Sequence, residues 1–274
     1  MMEIFNNVIN AGASKPFKVL HATDTHLCYA DLRDGDRKVK LSLDRKKYFP
    51  DADNAFDYFK KFAKDNNLPI VYTGDLIDFV SELNLEKVKE FTDDYDCIFS
   101  AGNHEFSLYV GEAKEDANYR NQSLLKVQNA FKNDIRASSR VINGVKFVCL
   151  DNSYYNFEEE QLSFLIKEVK DGLPIILLLH NPLFEKDLYD RTMSINPCAY
   201  LVGVPVDLMQ NYPKDRFEQQ LPDDITLKTV DYIKNQSLIK GIIAGHLHFN
   251  YEGVFGSIPQ LVSSCTDFRL IEII

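Results

Sequence analysis

The sequence predicts an α/β fold in which mixed β-sheets carry helices on the outside. Short apolar runs alternate with amphipathic stretches along the 274 residues, an order typical of this class. The 45% hydrophobic and 26% charged fractions are ordinary for a globular protein, so they exclude disorder and collagen-like repeats. The length would fit one large or two small domains, but no linker or internal repeat divides the chain. We therefore expect one domain over residues 1–274.

The spacing of apolar residues predicts the individual elements. Short apolar runs predict buried strands at 17–21, 69–72, 97–101, 174–179 and 241–244. Apolar residues at helical spacing predict helices at 52–66, 83–91, 116–132, 158–170 and 224–235. Asn143 and Gly144 separate the runs 140–142 and 145–150 and predict a hairpin, because both residues tolerate positive φ. The tail 253–274 is predicted to be β-rich, with a turn near 256–259.

The segment 185–222 fits none of these patterns. It has no clear periodicity and contains four prolines. Loops longer than ~12–15 residues in compact domains are usually functional or disordered. Tyr189, Tyr200 and Val204 are among the residues that make this segment too apolar for plain disorder. We therefore expect a cap or lid insertion over a site, with a structural excursion or an oligomer contact as the alternative.

Charge and cysteine content limit the partners and the compartment. The formal net charge is −10, which disfavours non-specific nucleic-acid binding. The longest apolar run, 175–179, is far shorter than the ~20 residues that a membrane span needs, and no secretory signal is evident. The five scattered cysteines lack a Cys-x-x-Cys pair and favour a reducing cytoplasm over a disulfide framework or a zinc–thiolate site. The default oligomeric state is a monomer.

Five short polar clusters follow predicted strands and contain five of the six histidines. They read DTH at 24–26, GDLID at 74–78, GNHE at 102–105, HN at 180–181 and GHLH at 245–248. Ligands of α/β sheets gather beyond the carboxyl ends of the strands, so these clusters could deliver their side chains to one place. The glycine that opens three of the clusters permits tight turns and close backbone approach.

The ligand types and their spacing indicate a transition-metal site. In an extended backbone, residues i and i+2 point to the same side. Asp24 with His26, and His246 with His248, are therefore each expected to present two ligands to one spot. Imidazole and carboxylate ligands together suit Mn, Fe, Zn, Co or Ni better than Ca or Mg.

The ordered set DTH, GDLID, GNHE, His180 and GHLH resembles the calcineurin-like metallophosphoesterase superfamily, and it spans Asp24 to His248. This resemblance implies a four-layer α-β-β-α sandwich, with two mixed β-sheets flanked by helices and a dinuclear metal site at the strand ends. It implies two divalent or mixed-valence transition metal ions, with Mn, Fe or Zn expected first. It also implies a metal-dependent phosphoesterase that acts on a small phosphorylated substrate.

The resemblance assigns a role to each motif residue by position. The first metal would be bound by Asp24, His26 and His248. The second metal would be bound by Asn103, His180 and His246, and Asp75 would bridge both ions. The family's catalytic histidine maps to His104, and its partner carboxylate maps to Asp78.

These roles are physically consistent with hydrolysis by in-line attack of a metal-bridging hydroxide. Two divalent ions bring +4, while Asp24, Asp75 and the hydroxide bring −3. The site keeps a charge of about +1, so an acidic protein can still attract a phosphate ester. His104 would assist the leaving group or stabilise charge, and Asp78 would hold it oriented and cationic.

Two departures narrow the subfamily. Purple acid phosphatases usually place a tyrosine where this chain has Asp78, and protein Ser/Thr phosphatases follow that aspartate with Arg-Gly where this chain has Phe79 and Val80. The pattern is nearer the bacterial phosphodiesterase and nucleotidase-like groups. A phosphodiester or a monoester of a small molecule or nucleotide fits, and a nuclease stays open. The alternative class is a non-catalytic metal-binding scaffold of the same fold.

Residues outside the motif set have simpler interpretations. We expect His21 to be structural and Cys28 to be a buried inert thiol. Glu105 is expected to be a helix-start carboxylate or a support for a metal ligand. The basic segment 33–47 is predicted to be a solvated charged loop, although it could reach an anionic substrate. The pair 154–155 is expected to pack internally or to stack on a base or sugar.

Overall fold

The computed structural model of the chain describes residues 2–111 and 116–274. The strands are β1 (Ile4–Ile9), β2 (Phe17–Ala22), β3 (Ile70–Tyr72), β4 (Cys97–Phe99), β5 (Ala137–Ile142), β6 (Val145–Leu150), β7 (Ile175–Leu178), β8 (Ile239–Ala244), β9 (Tyr251–Phe255), β10 (Ile258–Val262) and β11 (Phe268–Ile273). The helices are α1 (Asp36–Arg45), α2 (Ala52–Asp65), α3 (Glu82–Asp94), α4 (Ala117–Gln128), α5 (Glu159–Val169), α6 (Lys186–Met193), α7 (Lys214–Gln220) and α8 (Asp224–Asn235). Short 3-10 turns lie at Leu32–Asp34, His104–Phe106 and Val206–Met209.

The described strands form two mixed sheets. One sheet has the order β1-β11-β2-β3-β4, and the other has the order β5-β6-β7-β8-β10-β9. Within the first sheet β2, β3 and β4 are parallel, and within the second β6, β7, β8 and β10 are parallel. The carboxyl ends of these parallel strands therefore lie together at one edge of each sheet.

The two sheets pack face to face between layers of helices. One core cluster combines residues of both sheets, such as Val19 and Val71 from the first and Phe147 and Ile243 from the second. A second cluster packs α2, α3 and α4 on the outside of the first sheet, and a third packs α5 and α8 on the outside of the second sheet. Burying one large apolar side chain contributes about 1.5–3 kcal/mol, so these three layers of contact fix the sheets against each other. This arrangement confirms the predicted sandwich.

Most of the predicted elements are present near their predicted bounds. The helix predicted at 224–235 is found as α8 (Asp224–Asn235), and the predicted hairpin is β5–β6 with φ of 46° at Asn143 and 80° at Gly144. The prediction missed β1, an edge strand whose sequence IFNNVI contains two asparagines and which pairs in parallel with β11.

The interpretation of 33–47 as a solvated loop is wrong, because α1 occupies most of it. Only Ser42 is buried in this helix, so the segment lacks the apolar stripe by which an amphipathic helix is detected.

The segment 185–222 is ordered and has its own core. It contains α6 and α7 as well as the turn Val206–Met209. Its buried residues Leu188, Leu201 and Met209 pack in one cluster with Leu247 and Val262. Its helices have only eight and seven residues, too short to show a repeating apolar face. No helix in the described ranges is long and apolar enough to span a membrane.

Candidate metal centre

The five polar clusters meet where the parallel strands end. They follow β2, β3 and β4 in the first sheet and β7 and β8 in the second. Because the sheets lie face to face, the loops after these strands approach one another across the gap between the two edges. The predicted convergence of the clusters is therefore observed.

Asp24, His26 and His248 form what we term the first ligand group. Asp24 Oδ1 lies 3.3 Å from His248 Nε2 and 3.8 Å from His26 Nε2, and the two imidazole nitrogens are 3.1 Å apart. Asp24 Oδ2 accepts hydrogen bonds from Thr23 Oγ1 and from the His246 backbone N–H. This leaves Oδ1 as the oxygen that faces the histidines.

Asp75, His180 and His246 form the second ligand group. Asp75 Oδ2 lies 3.2 Å from His180 Nε2, and His180 Nε2 lies 3.1 Å from His246 Nδ1. The same Asp75 oxygen lies 3.8 Å from His26 Nε2, so it stands between the two groups. Its other oxygen accepts a hydrogen bond from the His104 backbone N–H at 2.8 Å. The carboxylate is thus held in place with one oxygen turned to both groups.

The donor atoms of both groups fit metal cations. Asp24 Oδ1 is buried and accepts no hydrogen bond from the described part of the chain. Burial lowers the pKa of His26 and holds the pKa of His246 well below its ordinary value, which favours neutral imidazoles. Neutral imidazole nitrogens and carboxylate oxygens that converge within 4.8 Å of one another are suited to sharing a cation.

The backbone of the ligand residues is left-handed rather than extended. Five of the nine non-glycine residues with positive φ in residues 2–111 and 116–274 belong to the two groups: Asp24, His26, Asp75, His246 and His248, with φ of 53–70°. The expectation that i and i+2 pairs point to one spot is therefore wrong for the GHLH motif. His246 belongs to the second group and His248 to the first. Strained backbone of this kind costs about 1–3 kcal/mol per residue and is concentrated at functional sites.

Two motif glycines are required by close packing. A Cβ on Gly102 would lie 2.2 Å from Asp75 Oδ1, and a Cβ on Gly245 would lie 2.0 Å from Thr23 Oγ1 and 2.4 Å from Asp24 Oδ2. Any side chain at these positions would displace a carboxylate of one of the groups. The prediction that these glycines permit close backbone approach is confirmed.

His104 lies beside both groups and is anchored by Asp78. Its Nδ1 is 2.7 Å from the Asp78 carbonyl oxygen and 3.2 Å from Asp78 Oδ1, and its ring packs edge-on against His26 with centroids 4.6 Å apart. Burial lowers the pKa of His104, but the carboxylates of Asp75 and Asp78 outweigh it and raise that pKa to about 10. His104 is also close enough to His26 and Asp75 for these three to form a further possible metal group.

Asp78 has a partner that the sequence did not indicate. Arg45 of α1 donates to both of its oxygens, from Nε at 2.6 Å and from Nη2 at 3.0 Å, while His26 Nδ1 lies 3.0 Å from Oδ1. Burial alone would raise the pKa of Asp78, but hydrogen bonds from His104, His26 and Arg45 hold it well below its usual range. Phe49, just after α1, stacks on the His26 ring at 4.2 Å. The basic segment therefore supports the first group.

A cavity of about 980 Å³ opens beside the ligand groups. Its floor includes Asp75, Asn103, His104, His246 and His248, so the remaining predicted ligand, Asn103, faces the same space. Its outer walls come from α4, from the loop after β6 and from the segment 185–222. The site is therefore accessible to a molecule of moderate size.

The comparison with family models matches residues 17–250 to the calcineurin-like phosphoesterases. The chain belongs to this family. The predicted family and enzyme class are confirmed, since calcineurin-like phosphoesterases are metal-dependent phosphoric ester hydrolases with dinuclear centres. The comparison does not identify the metals. No curated protein sequence matches the chain significantly.

Solved structures share the fold of this calcineurin-like phosphoesterase at low identity. A dimetal phosphatase from Danio rerio is 14% identical, with a TM-score of 0.53 over 91% of this chain and 88% of that chain. A phosphopantetheinyl hydrolase from Mycobacterium tuberculosis is 12% identical, with a TM-score of 0.44 over 96% and 92% of the two chains. The NAD nucleotidase of Haemophilus influenzae is 15% identical, with a TM-score of 0.39 over 92% of this chain and 45% of that chain.

Glu105 links two of the loops that build this phosphoesterase centre. Its buried carboxylate accepts backbone hydrogen bonds from Asp75 at 2.7 Å, Leu76 at 2.8 Å, Ile77 at 3.3 Å and Gly102 at 2.7 Å. It therefore joins the loop after β3 to the loop after β4. Of the two interpretations of Glu105, support for the ligand residues is the one that the contacts favour.

The remaining sequence hypotheses have clear outcomes. His21 is buried between Thr73 Oγ1 and Ser263 Oγ, and burial lowers its pKa to about 3, as expected for a structural histidine. Cys28 is buried, and burial raises the pKa of its thiol, so it is the inert residue expected. Tyr155 is buried, as the packing interpretation predicts, but its hydroxyl also contacts His246 Nε2 at 2.7 Å, a polar contact that neither interpretation foresaw.

Proposed function

We propose that this chain hydrolyses a small-molecule or nucleotide phosphate ester, either a diester or a monoester. The observation that carries the proposal is that Asp75 stands between two ligand groups on the floor of a cavity that His104 also lines. A phosphate ester placed there would have metal-binding residues on one side and a proton donor on the other. The proposal therefore needs both the groups and His104.

Each site residue takes a specific role in this proposal. Asp24, His26 and His248 hold the first ion, Asn103, His180 and His246 hold the second, and Asp75 holds both. Manganese, iron and zinc all suit this set of imidazole and carboxylate ligands. When bound, two such ions clamp the phosphoryl group and lower the pKa of a water between them.

His104 supplies the acid for the leaving group. Its Nδ1 is bonded to Asp78, so Nε2 carries the proton toward the cavity. The carboxylates that raise the pKa of His104 favour its cationic form, and that form donates the Nε2 proton to the departing alkoxide. Asp78 fixes the orientation of the ring, and Arg45 in turn fixes Asp78.

The segment 185–222 is proposed as a cap within a single domain of residues 1–274. Asn196, Tyr200 and Arg216 of this segment line the outer cavity, opposite α4. The cap adds a wall to the site and so favours a compact substrate over a long polymer. Asp116, Asp215, Glu218 and Asp223 also line the cavity, and their charges disfavour a polyanion.

The proposed compartment is the cytoplasm. All five cysteines, which lie within the described ranges, are free thiols, although two are only partly buried. Free thiols that reach solvent persist in reducing surroundings.

The direct test is hydrolysis of p-nitrophenyl phosphate and bis-p-nitrophenyl phosphate by metal-stripped enzyme reloaded with manganese, iron or zinc. We expect metal-dependent turnover, and a loss of about 10²- to 10⁴-fold in His104→Ala with unchanged metal content. The preferred ester separates diesterase from monoesterase chemistry. Full metal content without turnover of either ester, or of nucleotides and sugar phosphates, would favour the scaffold alternative.

The cap is tested with substrates of different length. We expect the reloaded enzyme to cleave a dinucleotide or the small diester much faster than a single-stranded oligonucleotide of 20 residues. Equal rates on the oligonucleotide would contradict the cap and favour a nuclease.

A further inference from the structure

The loop after β6 contacts both histidines of the second ligand group. Asn152 Oδ1 accepts hydrogen bonds from the backbone N–H groups of His180 and Asn181, at 3.1 and 3.0 Å. Three residues later, the Tyr155 hydroxyl lies 2.7 Å from His246 Nε2. One short loop thus holds the backbone of one ligand and the side chain of another.

Tyr155 is fixed in this position by its own surroundings. Its side chain is buried in the core of the second sheet, with Leu150, Leu179 and Val202 in the same cluster. Its backbone N–H donates to the Asn152 carbonyl, and its φ is 66°, an unfavourable value for a large side chain. The fold therefore stabilises a strained conformation that brings the hydroxyl to His246.

The contacts of His246 distinguish its two ring nitrogens. Nε2 faces the Tyr155 hydroxyl, and Nδ1 faces His180 Nε2 at 3.1 Å within the second group. Nδ1 is therefore the atom that this ring offers to a metal. A nitrogen that binds a metal carries no proton, so the ring proton of a metal-bound His246 lies on Nε2 and is donated to Tyr155 Oη.

Two other ligand histidines are held in a comparable way by different groups. His26 Nδ1 lies 3.0 Å from Asp78 Oδ1, and His180 Nδ1 lies 2.7 Å from the Thr73 carbonyl oxygen. In both rings the opposite nitrogen, Nε2, faces the other ligands. His246 is reversed, since it offers Nδ1 and is held by a phenol.

We propose that Tyr155 is a positioning residue for the second metal, because its hydroxyl accepts the Nε2 proton of His246 and so fixes Nδ1 as the ligand atom. The role rests on the proposed function only in that a metal must bind the second group. Tyr155 does not contact the reacting atoms through this bond and acts through His246. Loss of the hydroxyl would leave a buried Nε2–H without its acceptor and weaken one metal of the two.

The test is a Mn²⁺ titration of chelator-stripped Tyr155→Phe by calorimetry, followed by metal analysis after gel filtration. We expect one of two sites to weaken by about 10- to 100-fold while the other keeps its wild-type affinity, which is the usual effect of removing a ligand's hydrogen-bond partner. At limiting Mn²⁺ the variant should retain one ion. Saturating Mn²⁺ should restore turnover with an unchanged KM.

Tyr189→Phe is the matched control. Tyr189 lies in α6, and its hydroxyl donates to the Leu208 carbonyl at 2.7 Å, so the variant also loses a phenol hydrogen bond but leaves both ligand groups intact. It should bind two ions with wild-type affinity. Tyr155→Phe that also binds both ions with wild-type affinity would overturn the proposal.

A measurement on the wild-type chain covers the case in which Tyr155→Phe does not fold. Long-range proton–nitrogen NMR of the zinc-loaded, histidine-labelled protein should show the proton of His246 on Nε2 and the metal on Nδ1. The opposite tautomer would overturn the proposal. Neither measurement uses a phosphate ester, so a chain that binds two metals as described but hydrolyses nothing would contradict the proposed function and leave this inference intact.

Discussion

The two ligand groups differ in exposure and in the source of their support. In the first group the His248 side chain is 39% exposed, and His26 depends on Asp78, which is held by Arg45 from a polar surface helix. In the second group His180 and Asp75 are buried, and the histidines are held by the Thr73 carbonyl and by Tyr155 from inside the fold.

This difference indicates two kinds of metal site within one centre. A group whose supports lie in the core changes little when the surface moves, because close-packed interiors are rigid. A group whose supports lie on a surface helix follows the motions of that helix. We therefore expect the ion of the first group to exchange faster than the ion of the second.

The strongest way to break the comparison is to remove what the groups share. Asp75→Asn takes a charged oxygen from both groups, so we expect loss of both ions and a fall in kcat/KM of about 10³-fold or more. Asp24→Asn takes a ligand from the first group alone and should retain the ion of the second. Asp57→Asn, an exposed change on α2, is the control. Metal analysis and ester hydrolysis read out all three, and equal metal content in Asp75→Asn and wild type would contradict the shared role.

Glu105 sharpens the comparison from the side of the second group. Glu105→Gln puts an amide where a carboxylate accepts four backbone N–H groups, so at least one buried donor loses its partner. We expect the free energy of unfolding to fall by about 3 kcal/mol. Urea unfolding in chelator measures it, with the exposed Glu160→Gln on α5 as control. A change below about 0.5 kcal/mol, the usual range for a surface substitution, would be inconsistent with this bridging role.

Arg45 sharpens the comparison from the side of the first group. Arg45→Met removes both hydrogen bonds to Asp78, and with them the anchor of His26 and His104. We expect activity to fall by about 10- to 100-fold, with the ion of the first group weakened and the other unchanged. Lys40→Met, an exposed change on the same helix, should leave both as in wild type. A loss confined to the second ion would reverse the assignment.

His21 provides the smallest effect and tests the core beneath the first group. Its pKa of about 3 in the fold lies below the value of ~6.5 expected in the unfolded chain, so the folded state favours the neutral ring. This stabilisation is complete above pH 6.5 and is lost as the pH falls. At pH 5.5 the loss is about 1.4 kcal/mol.

The measurement compares wild type with His21→Gln in chelator by urea unfolding at pH 7.5 and 5.5. The wild-type chain should lose about 1.4 kcal/mol more than the variant between these pH values. Identical pH dependence of the two proteins would show that His21 is already charged in the fold.

The residue types of the centre could be predicted from the sequence because they follow strands directly. Asp24, His180 and His246 each lie one or two residues after a strand end, and parallel strands bring such positions to one edge. The local geometry could not be predicted in the same way. The loops adopt left-handed backbone conformations, which place His246 and His248 in different groups despite their spacing.

The supports of the ligands could not be predicted, because they come from distant parts of the chain. Arg45 reaches Asp78 across 33 positions, and Tyr155 reaches His246 across 91. No periodicity links such pairs, since only the packing of two sheets and their helices brings them together. The polar helix α1 was missed for a related reason, because its role is to support a site rather than to fill the core.

The most direct test of the account is the number of metal ions that the chelator-stripped wild-type chain takes up. Calorimetric titration with Mn²⁺, checked by elemental analysis after gel filtration, should give two ions per chain. Exchange into Zn²⁺ should then replace one ion faster than the other. One ion or none at saturation would contradict two ligand groups that share Asp75.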